Sequence, residues 1–154
     1  MKVAINTLGC KVNTYESEYI INLFKKRGYE IVSYDEIADI YIINTCTVTN
    51  TSDIKSRKII KHAINKNKDA IVVALGCYVQ AKPEEVKAID GIDIILGNKD
   101  KSKIVDYVEE YIKNNQRIEK IYDVVNVNLK LCKFNIIIIK LEALVKLKKV
   151  VKNF

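Results

Sequence analysis

The sequence predicts an open α/β domain: a mostly parallel five-stranded sheet, doubly wound so that helices cover both faces. Three observations lead there. Short runs such as Ile40–Asn44 and Ile71–Leu75 are almost continuously apolar, as strands covered on both faces are. Between these runs lie longer segments whose apolar residues recur at helical spacing. The two signals alternate through the first 115 or so residues, which is the order of β-α-β units in a parallel sheet.

Taken in order, Val3–Thr7 reads as a strand. Tyr15, Tyr19, Ile20, Leu23 and Phe24 then repeat at helical spacing, and Gly28 stands where a C-cap would end that helix. Glu30–Ser33 gives a short second strand and Ile40–Asn44 a third. The polar stretch Thr49–Asp53 offers several N-caps for a helix reaching about Lys66, with Ile59, Ile60, Ala63 and Ile64 as its apolar stripe. Ile71–Leu75 is the fourth strand. Pro83 suits the first turn of a helix, where Glu84 and Glu85 complement the dipole. Ile92–Leu96 is the fifth strand, and a last helix over 101–113 carries Ile104, Val105, Val108, Tyr111 and Ile112. The expected architecture is Rossmann- or flavodoxin-like, one domain over residues 1–117.

The remainder differs. Residues 1–117 carry 18 Lys/Arg and 16 Asp/Glu, net +2, whereas residues 118–154 carry 8 Lys and 3 acids, net +5. The total of +7 is thus mostly a property of the tail, and charge alone does not indicate RNA binding. This tail is atypically rich in Lys and Ile. Residues 98–154 hold neither Gly nor Pro, and only a weak helical pattern over 141–151 is sustained. Its longest aliphatic run, Ile136–Ile139, is far too short to cross a bilayer. Lys2, Asn6 and Lys11 interrupt any apolar stretch of signal-peptide kind. No membrane contact is expected, and nothing specifies an oligomeric state. The expectation is a cytoplasmic protein with reduced thiols, where widely spaced cysteines point to metal or catalysis before disulfides.

Three of the four cysteines each come one to three residues after a strand candidate. They are Cys10 after Thr7-Leu8-Gly9, Cys46 after Asn44-Thr45, and Cys77 after Leu75-Gly76. In an open parallel sheet, ligand sites form beyond the carboxyl ends of the strands, so cysteines distant in sequence converge there. Three such thiolates suit a soft metal or an iron–sulfur cluster with one open position. Gly9 and Gly76 allow the close backbone approach that a cluster needs. Core filling is the alternative for each cysteine taken singly. Zinc is a second alternative, although zinc ligands usually come in closely spaced pairs and none occur here. His62 lies mid-helix and is expected to be a partly exposed helix residue. Cys132 stands alone in Leu131-Cys132-Lys133 and reads as incidental.

Thr7-Leu-Gly-Cys10-Lys-Val-Asn13 with Glu16-Ser-Glu18 forms one motif; Ile43-Asn-Thr-Cys46-Thr-Val-Thr49 followed by Lys55-Ser-Arg57 forms a second. Gly76-Cys77 with Pro83-Glu-Glu85 is a third. In this order and spacing they resemble the amino-terminal domain of the radical-SAM methylthiotransferases over about residues 1–115. Leu8-Gly-Cys10-Lys-Val-Asn13 and the Thr-Val-Thr after Cys46 look like the branch that modifies threonylcarbamoyladenosine in tRNA. The resemblance implies an auxiliary [4Fe–4S] cluster held by Cys10, Cys46 and Cys77, with its fourth iron open to the sulfur that is transferred. Asn13, Asn44 and Thr45 are then candidates to donate hydrogen bonds near sulfur and tune its potential. Their alternative duty is turn forming or strand capping.

In the family a second domain carries CxxxCxxC for the cluster that cleaves S-adenosylmethionine, and an RNA-binding domain comes after it. Neither is found in these 154 residues, so the chain is expected to be truncated and inactive by itself. The tail suggests a cause. Lys149-Val150-Val151 can be encoded so that a frame starting at the third base of the lysine codon reads Gly-Cys. Lys140-Leu141-Glu142 can likewise give Thr-Arg, at the family's offsets. Residues 118–154 are therefore read as a tail that a frameshift, entering between 118 and 135, makes out of the next domain; a genuine short ending competes. Two other readings stay open: a stand-alone iron–sulfur or metal-binding module acting in trans, and a cofactor-free α/β scaffold.

Overall fold

The structure, a computed structural model, describes residues 1–47 and 50–122. The expectations for Cys132 and for the tail past Tyr122 fall outside these residues. Strand β1 (Lys2–Thr7) leads into helix α1 (Lys11–Lys26), then β2 (Glu30–Val32) and β3 (Ile40–Thr45). Next come helix α2 (Asn50–Lys66), strand β4 (Ile71–Gly76) and two short helices, α3 (Cys77–Ala81) and α4 (Pro83–Lys87). Strand β5 (Ile94–Leu96), a 3-10 turn (Lys101–Lys103), α5 (Ile104–Asn114) and β6 (Ile118–Lys120) complete the order.

All strand pairs are parallel, in the order β2-β1-β3-β4-β5-β6. The sheet therefore has six strands where the sequence predicted five. The sixth, Ile118–Lys120, pairs with Ile94–Leu96 at the sheet edge. Three residues at an edge are too few to show a period, so pattern reading passes over them. The doubly wound class itself is what the structure shows.

Alternation along the central strands separates two cores. Ile40 and Ile42 of β3 and Val73 and Leu75 of β4 join Ile20 and Phe24 of α1 and Ile104, Val105 and Val108 of α5. Tyr41, Ile43, Val72 and Ala74 point the other way, onto Ile60 and Ala63 of α2, Tyr78 and Val79 of α3, and Val86 of α4. Every residue of β3 and β4 is buried, because helices lie on both sides. No helix among the described residues is long and apolar enough to cross a membrane.

The strand order reverses beside β1. From β1 the chain goes out to β2 at one edge, then returns to β3 and proceeds to the other. The crevice at the carboxyl ends of β1 and β3 is thus the switch point, where this class of sheet binds its ligands.

Candidate metal centre at the carboxyl edge of the sheet

The register carries the cysteines to this edge. Thr7 of β1 pairs with Asn44 of β3, and Thr45 of β3 pairs with Gly76 of β4. Cys46 and Cys77 each come one residue after the Thr45–Gly76 pair, on neighbouring strands spaced about 4.8 Å apart. Cys10 ends the turn that leaves β1 on the other side of β3. All three are free thiols: Cys46 is buried, Cys77 half-buried and Cys10 exposed.

Two glycines let the backbones close in. Gly9 has φ +111°, and a Cβ there would sit 2.6 Å from Cys46 Cβ and 2.7 Å from its Sγ. Gly76 has φ +106°, and a Cβ there would lie 2.4 Å from the Thr45 carbonyl oxygen. Only glycine fits either position without moving the turn that presents Cys46.

Asn13, Asn44 and Thr45 tie the turns together. Asn13 Nδ2 donates to the carbonyls of Leu8 (2.8 Å) and Thr45 (3.1 Å), joining the exits of β1 and β3. Its Oδ1 accepts from the Cys10 thiol at 3.6 Å. Asn44 Nδ2 donates to the Asn13 carbonyl and to Ser17 Oγ, both at 3.1 Å. Thr45 Oγ1 donates to the Leu75 carbonyl at 2.6 Å. The side-chain donors of all three thus go to oxygen; the turn-forming duty is the one on view. Asn44 Oδ1 is buried without a partner, against Gly76.

The exit of β3 has a second anchor. Ser56 Oγ donates to the Cys46 carbonyl at 3.3 Å, and Thr47 Oγ1 donates to Asp53 Oδ1 at 2.8 Å. Lys82 Nζ lies 3.0 Å from the other oxygen of Asp53. Burial pushes the Asp53 carboxyl up, but the bonds from Thr47 and Lys82 outweigh it and hold the group below the usual range.

The thiols stand in different surroundings. Cys10 caps α1, and the N–H groups of Asn13 and Val12 hold its thiol below the usual range. Burial pushes the Cys77 thiol up; the Lys101 charge works against that, while Cys46, Glu16 and Cys10 reinforce it. By kind and location this donor set suits an iron–sulfur cluster or another soft metal. As the side chains stand, however, no group of three or more His, Cys, Asp or Glu among the described residues is arranged to hold a metal ion. His62 is exposed on α2 and packs its ring against Tyr34, 6.1 Å between centroids.

Sequence reading did not find the pairing of Lys101 with Glu16. Lys101 is buried to 8% exposure, and its Nζ lies 2.6 Å from Glu16 Oε2. Glu16 stands inside the first motif, but a partner 85 residues away leaves no local signal.

Comparison with known proteins agrees with the three motifs. Residues 2–97 match the uncharacterized protein family UPF0004. The chain is 48% identical over 122 residues to the threonylcarbamoyladenosine tRNA methylthiotransferase MtaB of Bacillus subtilis, covering 79% of this chain and 27% of that protein. The protein of the same name from Aquifex aeolicus is 44% identical over 117 residues, covering 76% and 28%. That from Thermotoga maritima is 42% identical over 106 residues, covering 69% and 24%. The chain thus spans about a quarter of the length of the curated relatives it matches. With more than half of its residues in the match, the chain belongs to the UPF0004 family, and the methylthiotransferase resemblance read from its cysteine motifs stands.

Proposed function

We propose that this chain is the auxiliary-cluster domain of a tRNA methylthiotransferase acting on threonylcarbamoyladenosine, with Cys10, Cys46 and Cys77 as the ligands of a [4Fe–4S] cluster. The observation that carries the reading is the register: three neighbouring strand exits each present a free thiol at the switch point of the sheet. A cluster held by three thiolates keeps one iron with an exchangeable position, which is where sulfur destined for a substrate would bind. The chain's own residues do the rest. Gly9 and Gly76 let the exits of β1 and β4 pack closely against the exit of β3, and Asn13 fixes the exits of β1 and β3 against each other.

Residues 1–154 hold no CxxxCxxC set, so we assign to them the auxiliary cluster alone. S-adenosylmethionine, the second cluster and the main tRNA contacts belong, on this reading, to the parts of the relatives outside the matched span. We read the tail beyond β6, from a frameshift entering by about residue 135, as a shifted version of the next domain; a shifted frame in the gene that fails to continue into CxxxCxxC removes that part. The open arrangement of the thiols favours a second reading, a cofactor-free scaffold.

Anaerobic reconstitution with ferrous iron and sulfide separates the two. The proposal expects a brown protein with about four irons and four sulfides per chain. Each of Cys10→Ala, Cys46→Ala and Cys77→Ala should lose most of that iron. A colourless wild-type product leaves the scaffold reading in possession.

A further inference from the structure

We infer that Lys101, tethered by Glu16, is the counter-cation of the three-cysteine edge, offsetting the negative charge that metal-bound sulfur brings there; this rests on the cluster reading above. A lysine with so little exposure needs a reason to be inside. The ion pair with Glu16 does not supply it: Glu16 is a third exposed, and a pair between these two could form in water at the surface.

What the position does offer is a bridge across the carboxyl edge of the sheet. Glu16 lies on α1, six residues beyond the cysteine that caps that helix. Lys101 lies in the 3-10 turn beyond β5, the strand next to β4, whose end carries Cys77. The same loop is pinned to the Cys77 helix, since the Asn98 N–H donates to Gln80 Oε1 at 3.1 Å. The ion pair therefore spans the helix that starts at Cys10 and the loop braced on Cys77.

A [4Fe–4S] core held by three thiolates is net anionic in its usual oxidised state and gains a further negative charge on reduction. A fixed cation at short range favours the reduced form, and does so most where water is excluded. Lys101 is then a positioning residue for charge, acting on the cluster through space rather than as a ligand.

The test is a potentiometric titration of the reconstituted full chain, monitored by electron paramagnetic resonance. Lys101→Met keeps the length of the side chain and removes the charge. Replacing one buried ion by an apolar side chain leaves Glu16 with access to water, so folding should survive; thermal unfolding checks this. At a fixed applied potential, the reduced-to-oxidised ratio should fall about tenfold, equivalent to about 59 mV for one electron. Lys101→Arg should bring it back to within about threefold, whereas a purely structural role would not move the potential with charge. If Lys101→Met fails to fold, Lys101→Gln, neutral but able to hydrogen-bond Glu16, takes its place with the same expectation. A folded, neutral variant that binds iron normally and keeps the wild-type potential overturns this inference alone. A wild-type chain that takes up no iron overturns the cluster reading and this inference with it.

Discussion

The two edges of the sheet divide volume from chemistry. At the amino edge, below β4 and β5, lies a cavity of about 620 Å³ lined by Asn67, Asp69, Asp93, Tyr111 and Asn115 among others. At the carboxyl edge lie three thiols, two glycines with positive φ and the Lys101–Glu16 pair. Tyr111 and Asp93 at the amino edge are bonded to each other. Tyr111 donates to Asp93 Oδ1 at 2.5 Å and the Val72 N–H donates to Asp93 Oδ2 at 2.8 Å, an arrangement that staples α5 to the strand starts. Size alone points to the amino edge. Strand direction points to the carboxyl edge, because only the carboxyl ends feed loops into the switch point.

The sharpest way to break this contrast is Gly76→Ala. The new Cβ would collide with the Thr45 backbone and Asn44 Oδ1, and the positive φ would be strained. A loss of about 2–5 kcal/mol in denaturant unfolding is expected. A loss below about 1 kcal/mol would mean that the exits of β3 and β4 are not locked together.

Asn13→Ala comes next. It removes two donated bonds that join the exits of β1 and β3, leaving the Leu8 and Thr45 carbonyls short of a partner. About 2 kcal/mol of stability should go, and reconstituted iron should be lost to a chelator severalfold faster. Unchanged chelation kinetics would separate Asn13 from the metal centre.

The smallest effect is expected at the amino edge. Tyr111→Phe should cost about 1 kcal/mol at neutral pH and leave iron content unaltered. Burial, reinforced by Asp93, pushes the Tyr111 phenol up to about 12, against an ordinary 10. The unfolded chain therefore ionises first. The stabilisation is complete below pH 10 and disappears as pH rises from 10 toward 12. The stability difference between wild type and Tyr111→Phe should shrink across that window, and a constant difference would assign the bond no role.

These edges were unequally legible in the sequence. The carboxyl edge announced itself because central parallel strands are continuous apolar runs, and the turns at their ends, Gly9-Cys10, Thr45-Cys46 and Gly76-Cys77, break that pattern abruptly. Strand β2 ended one residue early and β5 began two residues late, small shifts at places where polar and apolar residues mix. The one-turn helix starting at Cys77 was not foreseen, since five residues are too few for a helical period. Edge strand β6 escaped for the same reason. The Lys101–Glu16 pair escaped because nothing local marks a contact between residues 85 apart. Asn13, Asn44 and Thr45 were singled out as neighbours of sulfur; only the hydrogen-bond pattern reveals that their donors serve the turns.

The central claim is that three distant thiols hold one metal cluster beyond the ends of β1, β3 and β4. Crystals of the reconstituted chain grown without oxygen, measured at the iron absorption edge, test it directly. The account predicts one compact anomalous peak bounded by the sulfurs of Cys10, Cys46 and Cys77. Iron scattered over the surface, or seated at the amino edge beside Asp93, would contradict it.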